Sequence, residues 1–344
     1  MSLTVGEAKL LAAQLLQAAG LNRTDAETSA RAIVLADCWG VGSHGLLRLP
    51  YYLERMLAGG YPPHAALTTV TDTGPLVVLD GGGGLGHWQL WTAAGTAGER
   101  AQQYGIAAVA LGNSGHCGAL GVYTLPPLEK GLVALVFSHG PAVMPAWGAS
   151  APLFSTSPLA AGIPCSPRPA IVDMATSAVA RGKIASYAQR NEPLPNGWAL
   201  DAAGEPTTDA RAALRGLLAP LGGAKGYALA FMVEALSAGL VGPLLSADVS
   251  DMFAAEDASK PQRIAHLVVV LDPARLDVDG GKGSAARLAD LAGRIETSGA
   301  RLPGSRRALP QEIPDDQEIE FPAALEADLR SWAERLGVAY QLLR

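Results

Sequence analysis

The stretch VGSHGLLRLPYYLERM, residues 41–56, sets an imidazole and a guanidinium four residues apart at His44 and Arg48, with Ser43 next to the histidine. In a helix, positions i and i+4 share one face. Histidine exchanges protons near neutral pH, and an arginine fork holds a carboxylate through two parallel hydrogen bonds. Together they suit a small oxo acid, with the guanidinium on the acid end and the imidazolium toward the carbonyl. By residue type alone the group also fits an ordinary polar helix face, so the reading depends on what else converges on it.

Four more stretches carry chemistry-bearing residues. NSGHCGALGVYT, 113–124, holds His116 between Gly115 and Gly118 at the expected entry to a helix, where backbone N–H groups suit an anion such as pyrophosphate. DMATSAVARGKI, 173–184, puts Asp173 at the end of a strand with Thr176 and Ser177 in the following turn, the place where α/β sheets bind ligands. LGGAKGYALAFMVEAL, 221–236, puts Lys225 at a glycine-rich helix start. A cation there opposes the helix dipole and calls for a partner, an anionic ligand or a carboxylate such as Asp173. GARLPGSRR, 299–307, gathers three arginines around Pro303-Gly304; they suit a cofactor phosphate or simple solvation.

LVVLDGGGGLGHW, 76–88, matches G-x-G-x-x-G at Gly81, Gly83 and Gly86. In a dinucleotide fold that motif needs an acid at the end of the next strand to hold the ribose. Here that strand, GIAAVALGNSGHCG, ends in glycine and asparagine, and Glu99 falls inside the intervening helix. The glycines read as a structural turn. Neither Lys183 nor Lys282 has the following Ser or Thr of a phosphate-binding P-loop.

The elements that must position these residues follow from pattern. Thr4 with Glu7 and Thr24 with Glu27 fit capping boxes opening two helices in the first 40 residues, and a third helix is expected over 42–58. Short apolar runs (PLVVLD, GIAAVALG, LVALVFS, PAIVDMA and HLVVVLD) then alternate with helical segments near 87–104 and 224–241. This is an α/β layer pattern with a largely buried mixed sheet. The C-terminal part is helical again. The expected organisation is a helical domain of residues 1–65 plus 284–344, and an α/β cofactor- and substrate-binding body over 66–283 with a smaller subdomain near 66–115.

Composition narrows the function class. The 344 residues are 49% hydrophobic, enough for a large core, and 26 Lys and Arg against 32 Asp and Glu give a net charge of −6. No basic stripe forms, so no nucleic-acid partner is expected. No apolar run reaches membrane-spanning length, and MSLTVGEAKLLAAQLL, with Glu7 and Lys9, reads as helix rather than signal peptide. Cys38, Cys117 and Cys165 are odd in number and far apart, which fits reduced thiols in the cytoplasm and no disulfide framework. No metal is expected: His44, His116 and His139 have no ligand spacing.

Taken in order and spacing, these stretches resemble the malate/L-lactate dehydrogenase family of NAD(P)-dependent oxidoreductases. That group also holds sulfolactate and ureidoglycolate dehydrogenases and piperideine/pyrroline-2-carboxylate reductases. The matching segments are GVGSHGLLRLPYYLERMLAGG, GNSGHCGALGVYT, PLFSTSPLAAGIP, VDMATSAVARGKI, GWALDAAGEPTTD, GGAKGYALAFMVEAL and RLPGSRR. The resemblance implies a non-Rossmann cofactor domain and a homodimer with the active site near the subunit interface. It implies His44 as proton donor or acceptor with Ser43 in its relay, Arg48 on the substrate carboxylate, and Lys225 and Asp173 completing the catalytic polar set. Thr156, Arg181 and Gly182 would lie at the substrate. His116, Cys117, Gly118, Ala119, Leu120, Asp173, Met174, Ala175, Arg301, Gly304, Arg306 and Arg307 would line the cofactor, with NADP(H) favoured over NAD(H) by the spare arginines. The implied reaction moves hydride between nicotinamide and a small 2-hydroxy or 2-oxo carboxylate of malate, lactate or sulfolactate type. The alternative is NADPH-dependent reduction of a cyclic imine carboxylate. The imine-reducing branch often has histidine where Ala224 stands, and members often have asparagine where Ser157 stands, whereas HCGAL and VARGKI look more like sulfolactate-type sequences.

Overall fold

The computed structural model describes residues 2–252, 254–280 and 282–339. Its amino-terminal region is three helices: α1 (Val5–Ala18), α2 (Arg23–Cys38) and α3 (Leu49–Ala58). The capping box expected at α1 is present, with Thr4 Oγ1 accepting from the Glu7 N–H at 3.2 Å and Glu7 Oε2 from the Thr4 N–H at 2.8 Å. At α2 the expected Thr24 cap is corrected. Asn22 is the N-cap and accepts from the Asp25 N–H at 3.0 Å, so Thr24 already lies inside the helix. Asparagine caps at least as well as threonine, and here it stands in extended backbone one residue before the helix.

The single helix expected over 42–58 is corrected too. Two short 3-10 turns, Gly42–His44 and Leu46–Arg48, precede α3. Pro50 marks the start of the true helix, since proline fits a first turn where its missing N–H is not needed. Leu15, Leu16, Ile33, Val34, Leu46, Leu49 and Leu53 are fully buried in the core joining these helices.

The two ends of the described chain meet. Ser2–Thr4 pairs antiparallel with Glu318–Glu320, and the C-terminal helix Ala323–Leu336 buries Leu325, Leu329 and Ala333 in the same core. The helix Lys282–Thr297 packs elsewhere, through Ala292 and Ile295 against Ile163, Cys165, Ala170 and Leu302. The carboxy-terminal region therefore contributes to two separate cores.

The centre is a seven-stranded sheet. Its strands are β1 (Thr68–Asp72), β2 (Leu76–Asp80), β3 (Ile106–Ser114), β4 (Val133–Ser138), β5 (Leu159–Ile163), β6 (Ala170–Met174) and β7 (Ile264–Leu271). Their spatial order is β1-β2-β3-β7-β4-β5-β6. Among these strands only β2 and β3 are parallel, joined by helix α4 (Gly86–Tyr104); every other neighbouring pair is antiparallel. The mixed sheet is thus a βα-β unit extended by antiparallel strands, unlike the parallel sheet of a doubly wound dinucleotide fold. One face packs on the small side chains Ala93, Ala94, Ala97 and Ala101 of α4, all fully buried. The other face packs Ala110, Phe137 and Leu267 on Val233. Both faces are covered, which explains the near-continuous apolar runs of the strands.

The glycine turn between β2 and α4 is spent on its own backbone. The N–H of Gly81 donates to the Gly112 carbonyl, that of Gly83 to the Asn113 carbonyl and that of Gly84 to the Gly81 carbonyl. The Gly82 N–H donates to Asp80 Oδ1. A β-carbon on Gly86 would lie 2.1 Å from the Gly115 carbonyl oxygen, so that glycine exists for close backbone packing. No amide of residues 81–84 is left for a phosphate. Gly83→Ala is expected to cost about 1 kcal/mol from its positive φ, read by chemical denaturation, while nicotinamide nucleotide affinity by titration calorimetry stays within twofold. A large affinity loss without destabilisation would return the turn to the ligand.

Candidate functional site

His44 and Arg48 are brought together, but not by the helical spacing that first suggested it. Gly45 separates the two 3-10 turns, and Arg48 folds back so that its Nε donates to the Ser43 carbonyl at 2.9 Å. Ser43 Oγ lies 3.0 Å from His44 Nδ1. The device that shapes this turn is Asp37, at the end of α2. Its Oδ2 accepts from the Leu46 N–H at 2.8 Å, and a β-carbon on Gly45 would lie 2.2 Å from that carboxylate. Burial pushes the Asp37 carboxyl up to about 6, against the opposing Leu46 hydrogen bond.

Burial, with the Arg48 charge adding to it, lowers His44 to about 4. Without a ligand both a drier setting and a neighbouring cation disfavour the charged form of the ring.

His116 stacks beside His44 with ring centroids 5.8 Å apart at 21°. It lies in an open loop and not at a helix entry; a short 3-10 turn, Leu120–Thr124, begins only later. Two of the amides in and after this segment are engaged within the protein. The Gly118 N–H donates to His116 Nδ1 at 3.3 Å. The Asp173 carboxylate takes the backbone hydrogen bond of Gly121, while burial raises its pKa. The anion at that turn is the protein's own. Gly118, at φ +73°, fits because a β-carbon there would crowd His87 Nε2 at 2.9 Å and the His44 carbonyl at 3.2 Å. Cys117 and Leu120 point into the core, and burial drives the Cys117 thiol up to about 12. Ala119 is buried with the helical region.

Asp173, Met174 and Ala175 stand at the end of β6, as expected. Arg307, expected at a phosphate, is bonded to that strand in the ligand-free chain: it donates to the Ile171 carbonyl at 3.1 Å and lies 3.9 Å from Asp173 Oδ2. Gly304 is explained in the same way, since a β-carbon would lie 2.5 Å from the Ile171 carbonyl oxygen. Arg301 and Arg306 are exposed, and among the described residues neither has an acidic partner.

The loops beyond the strand ends are tied to one another. Both the N–H and the hydroxyl of Thr176 donate to the Thr156 carbonyl, at 2.9 and 3.0 Å. The Leu221 N–H donates to the Thr176 carbonyl at 2.8 Å. This chain leads to helix Ala224–Glu234 and to Lys225 in its first turn. Of the two partners considered for Lys225, an anionic ligand or the Asp173 carboxylate, the second does not pair with it: Asp173 is engaged by Arg307 and Gly121, and Lys225 is exposed with no ion pair among the described residues. Arg181 opens helix Arg181–Arg190 and donates to the Leu214 carbonyl at 2.9 Å. Gly182 beside it is exposed, and a β-carbon there would meet nothing within 4 Å.

Three residues at the site escaped the sequence reading. Asp37 precedes the motif by seven positions and gave no signal of its own. Tyr52 was visible only as an apolar position of α3, yet its hydroxyl lies 2.9 Å from His116 Nδ1. His87 is 1% exposed and packs edge-on against Tyr52 at 4.7 Å, and burial lowers its pKa to about 3. Among the described residues no group of three or more His, Cys, Asp or Glu could hold a metal ion.

Comparison with known proteins adds an independent line. A family profile described as malate/L-lactate dehydrogenase matches residues 3–330. The chain is 38% identical to the (2R)-3-sulfolactate dehydrogenase (NADP(+)) of Chromohalobacter salexigens over 96% of this chain and 98% of that protein. It is 36% identical to the Delta(1)-pyrroline-2-carboxylate reductase of Ancylobacter novellus over 97% and 98%. The solved sulfolactate dehydrogenase of Methanocaldococcus jannaschii superposes with a TM-score of 0.90 at 27% identity, covering 98% of both chains.

Removing the Asp37 carboxylate tests the turn. Asp37→Ala strands the Leu46 N–H and is expected to cost about 1–3 kcal/mol by chemical denaturation, with a larger proportional fall in turnover than in nucleotide affinity. Unchanged turnover would mean that the 3-10 turns hold His44 without help.

Proposed function

The chain belongs to the malate/L-lactate dehydrogenase family and is an oxidoreductase; from that premise we propose that it transfers hydride between NADP(H) and a small 2-oxo or 2-hydroxy carboxylate of the sulfolactate, malate or lactate type. The observation that carries the substrate class is the pair of 3-10 turns on which Ser43 touches the His44 ring while Arg48 folds back onto the Ser43 carbonyl. A guanidinium so fixed grips a carboxylate, and the adjacent imidazole meets the oxygen one carbon away.

A nicotinamide nucleotide fits the residues present. His116 offers a largely buried ring stacked beside His44, and Arg301 and Arg306 offer unengaged charge for phosphate, which favours NADP(H) over NAD(H). When bound, the nucleotide supplies or takes the hydride. This chain's part is to orient the acid through Arg48 and to move a proton at its oxygen through His44, with Ser43 holding the ring. Burial is the larger cause of the low His44 pKa, and a substrate carboxylate on Arg48 would offset only the smaller part that comes from the Arg48 charge. Thr156, Arg181 and Gly182 are assigned to the far side of the substrate, and Lys225 and Asp173 to the polar surroundings.

The cyclic-imine reading is kept because the Ancylobacter reductase matches almost as well as the sulfolactate enzyme. On that reading the same imidazole protonates nitrogen.

A screen of 2-oxo acids and cyclic imine carboxylates with both reduced nucleotides, followed at the nicotinamide absorbance, separates the two. His44→Ala is expected to abolish turnover while sparing nucleotide binding. Arg48→Lys should raise KM about 10–100-fold with a smaller effect on kcat, because the fork is lost. In reduction, kcat/KM should fall as pH rises through the neutral range, since the free ring, at about 4, is already mostly unprotonated. An Arg48→Lys enzyme matching wild type on every active acid would sink the clamp.

The assembly proposed is a homodimer. Its support is an apolar surface on and after helix Ala224–Glu234, where Leu229, Phe231, Met232, Leu240 and Leu245 are exposed. Sedimentation equilibrium at micromolar concentration should give twice the chain mass; a monomer overturns it. The free thiols of Cys38, Cys117 and Cys165 support a reducing compartment, and the cytoplasm is the proposed one. Among the described residues no helix is long and apolar enough to cross a membrane.

A further inference from the structure

The hydrogen bonds around His116 decide which of its nitrogens carries the proton. A backbone N–H can only donate, and that of Gly118 points at His116 Nδ1 from 3.3 Å. Nδ1 must therefore present its lone pair. The Tyr52 hydroxyl, 2.9 Å from the same nitrogen, must then be a donor as well. Tyr52 is fully buried, and burial holds its phenol well above the ordinary value, so it keeps its proton. The ring of Tyr52 is itself fixed, stacked on His116 at 5.9 Å and edge-on to buried His87 at 4.7 Å.

With Nδ1 accepting, the neutral ring carries its hydrogen on Nε2. Among the described residues no protein group bonds to that nitrogen, and His116 is largely buried next to the His44 ring. We propose that Tyr52 is a positioning residue that locks His116 as the Nε2–H tautomer, making it a second hydrogen-bond donor beside His44 for a carbonyl-type oxygen. That oxygen belongs either to the nicotinamide carboxamide or to the oxo group of the substrate. The role rests on the oxidoreductase reading above, whereas the tautomer does not. A ring free to carry its proton on Nδ1 would turn a lone pair toward the ligand and repel that oxygen.

The test uses the full chain labelled with 15N-histidine. There are six histidines, and loss of one spin system in His116→Gln identifies the one in question. Two-bond 15N–1H correlation at neutral pH is expected to show protonated Nε2 and unprotonated Nδ1 in the wild type. Tyr52→Phe keeps the ring packing and removes only the hydroxyl. It should shift His116 toward a mixture of tautomers and cost about tenfold in one kinetic readout. A weaker NADPH dissociation constant with kcat kept identifies the carboxamide as acceptor; a fall in kcat or a rise in KM for the acid, with NADPH affinity kept, identifies the substrate oxygen. A wild-type spectrum with the proton on Nδ1 overturns the proposal even if Tyr52→Phe fails to fold. So does a folded Tyr52→Phe whose tautomer and kinetics match wild type. Absence of turnover on every oxo acid and imine, with the tautomer as expected, would count against the substrate class instead.

Discussion

One carboxylate at the end of a helix shapes the region on which the site depends. Asp37 accepts the Leu46 N–H, and Gly45 leaves room for it to approach. That bond ties the end of α2 to the start of the second of two 3-10 turns. With the turns closed, Arg48 folds back to the Ser43 carbonyl, Ser43 meets the His44 ring, and α3 starts at Leu49. The start of α3 in turn sets Tyr52 against His116. A buried acceptor with a backbone donor is costly to leave unmade, so this small motif is specified more sharply than its exposed side chains suggest.

The sheet contributes rigidity. With both faces covered, its strand ends are fixed points from which the loops at 114–118, 155–157 and 175–177 depart. The second and third of these loops are bonded to each other and to the segment before helix Ala224–Glu234 through Thr156, Thr176 and Leu221. Arg307 and Gly304 close the open side of β6, the first by donating to the Ile171 carbonyl and the second by leaving room for it.

Electrostatics give the site its second character. His44, His87, His116, His139 and His266 are all held below the ordinary imidazole value, each by burial first. Neutral rings packed this closely can act as hydrogen-bond donors and acceptors whose direction is set by their neighbours. A cluster of imidazolium ions would repel itself and the adjacent Arg48. The low-dielectric setting therefore keeps the rings neutral in the ligand-free protein, with Arg48 as the standing charge beside His44.

Much of this was legible in the chain itself. Residue type and spacing singled out Ser43, His44 and Arg48, and the missing acid after the glycine run excluded an ordinary dinucleotide turn, as the internally bonded amides of Gly81–Gly84 bear out. Capping at Thr4 and the apolar strand runs are local effects, and local patterns record them. What the sequence by itself determined is thus the inventory of reactive groups, the layered α/β class and the family. Only the tertiary structure decided that Asp37 bends the His44 turn, that Arg307 is tied to a strand, that Lys225 stands apart from Asp173 and that Tyr52 orients His116. Each of these depends on how separate elements are placed against one another, or on a close approach permitted by a missing β-carbon, and neither leaves a periodic trace along the chain.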